Sequence, residues 1–235
     1  MTIKLLHGSE NNNLEHLEPR FSGVNGCYDG GGVNLASKAE TALLYSGKNG
    51  SVYLSDINID NFLEVSDTAS LSYEQASTLA YKIGQFPLLD QIRLATDITG
   101  KRSKSFPSDD IADVFFDDQE LKMELIGLNQ DRFQPEFSEV KDNTVEYSHM
   151  DLTNLVNIKT NTLHKALMAW DIHRGTKLLK EISDGLILKK DGEGTNYLSF
   201  KEVSIIKKFD RELVGRNDAA RILNRQLNNV TDQVP

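Results

Sequence analysis

Three short segments, far apart in a chain of 235 residues, carry side chains that could do chemistry. His7 is followed directly by Gly8 and Ser9, so an imidazole stands beside a backbone that another group can approach closely. Glycines crowd residues 23–32, which predicts close backbone approach or positive φ angles there. A late glycine turn at residues 191–194 carries two carboxylates. These groups can hold a polar ligand and stabilise charge on it, although Asp-Gly is also an ordinary opening for a turn.

Other common catalytic and metal-binding patterns are missing from the sequence. The five histidines are dispersed and no HExxH occurs, so we expect no metal. Residues 30–32 form neither a GxGxxG fingerprint nor a loop followed by a Walker lysine, and there is no GxSxG elbow. The single cysteine, Cys27, cannot close an intrachain disulfide and has no evident histidine partner. We interpret it as an inert thiol in a reducing compartment.

The charge balance indicates which partners the chain can attract. Its formal net charge is −9, so phosphate backbones are repelled and nucleic acid is a poor target. Simple solubility explains this charge, and so does a basic protein partner. The apolar runs are too short to span a bilayer, and residues 1–6 are too short for a signal-peptide core. We therefore expect a cytoplasmic protein that does not enter membranes.

Strands at both ends of the chain, with helices between them, must position these groups. The strand candidates are residues 3–6, 33–36, 52–54, 62–65, 186–188, 197–200 and 203–209. A helix is predicted over residues 38–45, with Ser37 as its N-cap. The two strands around residues 191–195 form a predicted hairpin. This arrangement predicts an α+β domain whose sheet is completed late in the chain.

The middle of the chain is predicted to be mainly helical. Ser72 and Gln75 fit a capping box at the start of one helix, and Ser108 is a candidate cap for another. A third helix is predicted over residues 161–174, with Trp170 as a core anchor. After Gly215 the chain is polar, which predicts a loosely held helix or tail.

The three segments, taken in order, resemble the ADP-ribosyltransferase superfamily in its diphtheria-toxin and PARP-like branch. The matching residues are His7-Gly8-Ser9, then residues 30–37 followed by a helix that begins Glu-Thr-Ala-Leu, then residues 183–188 and 191–200. Within the superfamily the chain is most similar to small phage-borne ADP-ribosylating anti-CRISPR proteins. The resemblance covers roughly residues 1–66 and 175–206.

The resemblance implies a cofactor, NAD, and a role for each matching residue. His7 would contact a ribose hydroxyl, the Gly8 backbone would hold the nicotinamide amide, and Ser9 would add a ribose contact. Asp191 would be the carboxylate that favours the oxocarbenium-like state, with Glu193 as the alternative. His7 and Asp191 are thus the predicted catalytic residues.

The remaining predicted NAD contacts come from the second segment and the helix after it. The resemblance places Gly32, Asn34 and Ser37 along the cofactor. Many PARP-like members carry a tyrosine where this chain has Asn34, so another aromatic side chain must stack on the nicotinamide. Tyr45 is the first candidate and Tyr28 the second.

The implied fold is an α+β ADP-ribosyltransferase-like domain with a split, bent β core. Its bounds are residues 1–215, with a helical insertion over about 67–175 and a polar tail over 216–235. The implied function is mono-ADP-ribosylation of a protein by a phage counter-defence factor or a toxin. A CRISPR effector complex is a credible target, and the host cytoplasm is the expected location. The alternatives are an NAD glycohydrolase, a nucleic-acid ADP-ribosyltransferase and an inactive partner-binding module.

Overall fold

Strands from the beginning and the end of the chain pair in one sheet. The structure, a computed structural model, describes residues 1–19, 30–86, 90, 94, 155–190 and 194–228. The chain divides into two units, one formed by Met1–Ala69 with Leu179–Pro235 and the other by Ser70–Leu178. Every strand within the described residues belongs to the first unit.

The sheet of the first unit has seven strands in the order β5-β6-β7-β3-β1-β4-β9, and β2 and β8 form a separate two-stranded ribbon. The strands are β1 (Thr2–Ser9), β2 (His16–Leu17), β3 (Val33–Ala36), β4 (Ser51–Asn58), β5 (Phe62–Val65), β6 (Gly185–Lys190), β7 (Gly194–Ser199), β8 (Val203–Ser204) and β9 (Lys207–Phe209). Only the β5–β6 pair is parallel among these neighbours. The predicted α+β class is confirmed, whereas the split β core of the resemblance stays a prediction.

In the middle of the sheet, β1 and β3 pair at a single position. β1 pairs with β4 along its whole length, from Thr2 with Asn58 to Ser9 with Ser51. On its other side β1 pairs with β3 only at Leu6, which lies opposite Ala36. Most of that edge of β1, the part carrying residues 7–9 included, therefore lies outside the ladder.

Residues on β1 alternate between two covered faces, because successive side chains of a strand point in opposite directions. Leu6 packs with Val52, Leu54 and residues of α1, and we call this side the helix-covered face. Leu5 packs with Tyr53 and with residues of β3 and β8 on the other side, which we call the histidine face because it carries His7. Burial on both sides makes β1 a central strand.

Helix α1 (Ala39–Ser46) begins one residue later than predicted and is capped from elsewhere. The predicted cap Ser37 is wrong, because its backbone N–H donates to the carbonyl of Thr195 and so extends the β3–β7 ladder. Lys38 occupies the N-cap position and makes no side-chain capping bond. Instead, Asn224 accepts a hydrogen bond from the N–H of Ala39 over 3.2 Å. The cap is supplied by tertiary structure.

The second unit contains helices α2 (Tyr73–Ile83) and α3 (Thr160–Trp170) and a 3₁₀ turn at Leu155–Asn157. The capping box of α2 is confirmed, since Ser72 and Gln75 each accept the other's backbone N–H. Trp170, only 7% exposed, packs edge-to-face on Phe86, as expected of a core anchor. The helix predicted from Ser108 lies outside the described residues.

The single helix predicted over residues 161–174 is two helices. α3 ends at Trp170, and α4 (Ile172–Ile182) begins after Asp171. One carboxylate oxygen of Asp171 accepts the backbone N–H groups of His173 and Arg174, each over 2.8 Å. Asp171 therefore acts as the cap that restarts the helix in a new direction.

Two further helices, α5 (Arg211–Val214) and α6 (Ala219–Asn228), follow the sheet. Leu223 of α6 is fully buried among residues of α1 and of the helix-covered face. Much of the polar segment after Gly215 is thus an amphipathic helix with one packed side. Its other side is polar and exposed.

Candidate functional site

The three segments that carry the resemblance lie on adjacent strands. The first is the end of β1, the second runs along β3, and the third includes β7, in the sheet order β7-β3-β1. Register pairs place Leu6, Ala36 and Asn196 in one row across these strands. Leu6 and Asn196, which are 190 positions apart in the chain, therefore lie within two strand spacings, roughly 10 Å.

His7 links the first two segments directly. Its Nδ1–H donates a hydrogen bond to the backbone carbonyl of Asn34 on β3 over 2.7 Å. A carbonyl can only accept, so this bond fixes the proton on Nδ1 and leaves Nε2 as an acceptor in the neutral ring. Among the described residues, none occupies Nε2. The site thus presents one unused acceptor beside the gap in the β1–β3 ladder.

The half-buried ring of His7 stays neutral to lower pH than an ordinary histidine. Burial lowers its pKa below the usual 6.5, and the hydrogen bond to Asn34 only partly opposes this effect. A neutral imidazole is the form that accepts a hydrogen bond at Nε2. The ring therefore keeps its acceptor at neutral pH.

Gly8 faces the other way and has a packing role of its own. A Cβ built on Gly8 would overlap the carbonyl oxygen of Ala42 and lie 2.9 Å from the amide nitrogen of Ser46, both on α1. Only glycine lets α1 lie this close to β1. The structure accounts for Gly8 by this contact, and its predicted hold on nicotinamide stays a prediction.

Sequence reasoning missed Tyr53, which lies across from His7 on β4. The two ring centroids are 6.4 Å apart and tilted by 39°. Tyr53 is fully buried, and its hydroxyl donates to the backbone carbonyl of Asn11 over 2.7 Å. The signal was present in the alternation of residues 52–54, because the middle residue faces away from its two apolar neighbours.

Residues 10–14, which follow β1 directly, fold back over the histidine face. The Tyr53 hydroxyl also accepts the N–H of Leu14 over 3.4 Å, and the Ser51 hydroxyl donates to the side-chain oxygen of Asn12 over 2.9 Å. Ser9 turns the chain, because its hydroxyl accepts the N–H of Asn11 over 3.1 Å. β4 therefore holds this segment at several points.

The glycine-rich segment enters the described part of the chain at Gly30. Gly30 has a φ of 114°, and a Cβ on Gly32 would lie 2.6 Å from the carbonyl oxygen of Ser199 on β7. Both uses of glycine predicted for this segment, positive φ and close approach, are therefore confirmed here. Asn34 itself is exposed, and its contact with His7 is made by its backbone.

The predicted aromatic partner, Tyr45, lies on α1 and is 46% exposed. α1 covers the face of the sheet opposite to His7, so the described contacts do not bring the two side chains together. Tyr197 is on the histidine face, opposite Leu35 on β3, where it packs against the same apolar cluster as Tyr53. It is the aromatic residue of the third segment.

Several predicted residues lie outside the described part of the chain. They are Asp191, Glu193, Tyr28 and Cys27. The hairpin that carries the two carboxylates is described up to the pair Lys190 and Gly194, with a φ of 86° at Gly194. The choice between Asp191 and Glu193 therefore stays a prediction.

The described residues contain no group of three or more His, Cys, Asp or Glu side chains placed to hold a metal ion. None of the helices within them combines the length and apolar character that a bilayer crossing requires.

Comparisons with known proteins add one distant structural likeness. No protein-family model matches the chain, and no curated protein is similar to it. A crystal structure of an anti-CRISPR protein aligns with 89% of this chain and 96% of its own, at 15% sequence identity and a TM-score of 0.31. At this TM-score the likeness carries no conclusion about fold or function.

Proposed function

We propose that the chain is an NAD-dependent mono-ADP-ribosyltransferase that modifies a protein. One observation carries the proposal: the three segments of the resemblance lie on adjacent strands. The hydrogen bond from His7 to Asn34 joins the first two, and the pairing of β3 with β7 joins the second to the third. A resemblance between unrelated loops would give no reason for such adjacency. NAD would supply the ADP-ribose, with nicotinamide as the leaving group.

His7 fits the role that the resemblance implies for it. A ribose hydroxyl is a hydrogen-bond donor, and the neutral ring offers an acceptor at Nε2 that the described residues do not use. The anchored Nδ1 holds the ring in one orientation, so little entropy is lost when the ribose binds. Tyr197, which lies on the histidine face, is the candidate for holding the nicotinamide ring, whereas Tyr45 lies on α1 at the opposite face.

A carboxylate from the β6–β7 turn completes the proposed site. As the bond between nicotinamide and ribose breaks, positive charge develops on the ribose, and a nearby carboxylate stabilises it. The acceptor side chain then bonds to the ribose carbon and gives up a proton. We assign the carboxylate to Asp191, and Glu193 is the alternative.

The proposed acceptor is a basic protein surface or one that normally binds nucleic acid. The net charge of −9 gives long-range attraction to such a surface and repulsion from DNA or RNA. Attached ADP-ribose would bring two phosphates to the place where nucleic-acid phosphates dock, and so block binding. A CRISPR effector complex has this chemistry, which suits a phage counter-defence factor. A toxin acting on another host protein is the second candidate.

The decisive experiment incubates the protein with labelled NAD and a bacterial lysate, followed by mass spectrometry of the labelled species. We expect label on proteins, at a rate that falls as ionic strength rises. NAD consumption without transfer would indicate a glycohydrolase, and label on DNA or RNA would indicate a nucleic-acid modifier. No NAD turnover with stable partner binding would indicate an inactive module.

A matched pair of variants identifies the carboxylate. Asp191→Asn and Glu193→Gln each remove one charge and keep the shape of the side chain. We expect Asp191→Asn to lower transfer by about a hundredfold, the scale for loss of one transition-state contact, and Glu193→Gln to have little effect. The reverse result would move the assignment to Glu193.

A further inference from the structure

We propose that residues 11–14 form one wall of the NAD site and that Tyr53 is the positioning residue that holds this wall in place. The inference rests on the proposed function. Tyr53 would act through the segment and through His7, without touching the substrate itself.

The first observation is the position of the Tyr53 ring. Tyr53 and His7 form a cross-strand pair on the histidine face, with their ring centroids 6.4 Å apart. The ring of Tyr53 stands out from the sheet, and its hydroxyl end reaches Asn11. The segment is therefore held by a ring that lies across from the imidazole on the same face.

The second observation is that the Tyr53 hydroxyl forms hydrogen bonds with both ends of the segment. It donates to the carbonyl of Asn11 and accepts the N–H of Leu14, so one side chain bridges two backbone groups. A buried tyrosine hydroxyl needs partners, and here they belong to a surface segment. Loss of the hydroxyl would release both ends together.

The third observation is an independent tie to the same segment. The Ser51 hydroxyl donates to Asn12, whose side-chain nitrogen donates to the carbonyl of Asn49 over 2.9 Å. Ser51 is 1% exposed and lies on the histidine face, two residues before Tyr53. Two residues of β4 thus hold Asn11, Asn12 and Leu14. Asn11 and Asn13 remain exposed, with amide groups suited to the polar substituents of a dinucleotide.

The test compares Tyr53→Phe with Tyr73→Phe, which removes the same hydroxyl from a residue that is 80% exposed on α2. Calorimetry measures NAD binding, kinetics give KM and kcat, and hydrogen exchange follows the Leu14 amide. For Tyr53→Phe we expect faster exchange at Leu14, NAD binding weaker by about three- to tenfold, and nearly unchanged kcat. A partly unfolded preparation would instead lower kcat and leave KM unchanged.

Ser51→Ala provides a second route to the same outcome with a smaller change in the core. It should also weaken NAD binding, with faster exchange within residues 11–14. Unchanged NAD binding in both variants, with or without faster exchange, would overturn the inference while the transferase assignment stands. A wild-type protein that binds no NAD would remove the proposed function, and this inference with it.

Discussion

The two faces of β1 use the same strand for different purposes. On the helix-covered face, Leu6 and Gly8 meet α1 at van der Waals distance, and the packing leaves no room for a Cβ at Gly8. On the histidine face, His7 and Ser9 form hydrogen bonds, and the neighbour of His7 is the Tyr53 ring, where Gly8 has a helix backbone. Because successive residues of a strand point to opposite faces, Gly8 packs against a helix while its sequence neighbour His7 faces the candidate site.

This difference shows how a short motif can be under two constraints at once. Change on the helix-covered face is expected to act on stability, because the contact there is backbone against backbone. Change at the partly accessible polar groups of the histidine face is expected to act on ligand binding and turnover, whereas a fully buried group there, such as Ser55, is expected to act on stability. Four substitutions or conditions test this separation.

Gly8→Ala should have the largest effect, and on stability. The added methyl overlaps the Ala42 carbonyl, so α1 must shift, at a cost of about 3 kcal/mol or more. Urea denaturation measures the loss. Gly84→Ala is the matched control, since the nearest neighbour of the added methyl would be the Ala80 oxygen at 3.3 Å and the φ of −60° at Gly84 suits alanine. Equal stability of the two variants would contradict the close packing of α1 on β1.

His7→Ala should act on function instead. We expect ADP-ribose transfer to fall by about a hundredfold, with a change in unfolding free energy of about 1 kcal/mol or less. His16→Ala is the control, because His16 is an exposed residue of β2 whose bonded partner is Glu18. Normal transfer by the His7 variant would contradict the functional role that we assign to the histidine face.

The pKa values of His7 and His16 should be shifted in opposite directions, and NAD binding should follow that of His7. Burial lowers the pKa of His7, while the hydrogen bond to Glu18, aided by nearby carboxylates, raises the pKa of His16. NAD binding should hold at neutral pH and fall only below pH 6.5, when His7 gains a proton and Nε2 ceases to accept.

The contribution of His7 to folding stability should also decrease at low pH. Below about pH 6.5 the unfolded chain takes up the proton before the folded chain does, so stability decreases as pH falls from 6.5 toward the lower folded pKa. Titration of both rings by NMR checks the order of the two pKa values. A His7 pKa above that of His16 would contradict the described environment of the ring.

Ser55→Ala should give the smallest effect, and it should be stabilising or neutral. In the described part of the chain, the Ser55 hydroxyl oxygen is buried without a hydrogen-bond partner, on the same face as Tyr53. Removing an unsatisfied buried hydroxyl relieves a desolvation cost, so we expect a gain of up to about 1 kcal/mol. Thermal denaturation measures it, and a loss above about 1 kcal/mol would indicate a hydrogen bond that the structure does not contain.

Local sequence signals determined most of the secondary structure and the α+β class. The strands over residues 33–36 and 62–65 match their predicted bounds, because apolar runs between turn residues need little tertiary information. The capping box of α2 was equally readable, since Ser72 and Gln75 form it within one helical turn. The motif order of the three segments was also present in the sequence, and so were the candidates His7 and Asp191.

Only the tertiary structure decided how these elements are completed. The cap of α1 comes from Asn224, 185 residues away, so no local pattern could reveal it. The break at Asp171 was missed because its capping bonds depend on backbone geometry, which the apolar pattern before it does not specify. The proton position on His7 likewise depends on a carbonyl of β3, which reaches the ring only when the two strands pair. The α1 cap and the His7 proton thus depend on residues that are distant in the chain, and the cap at Asp171 depends on local backbone geometry that residue type does not specify.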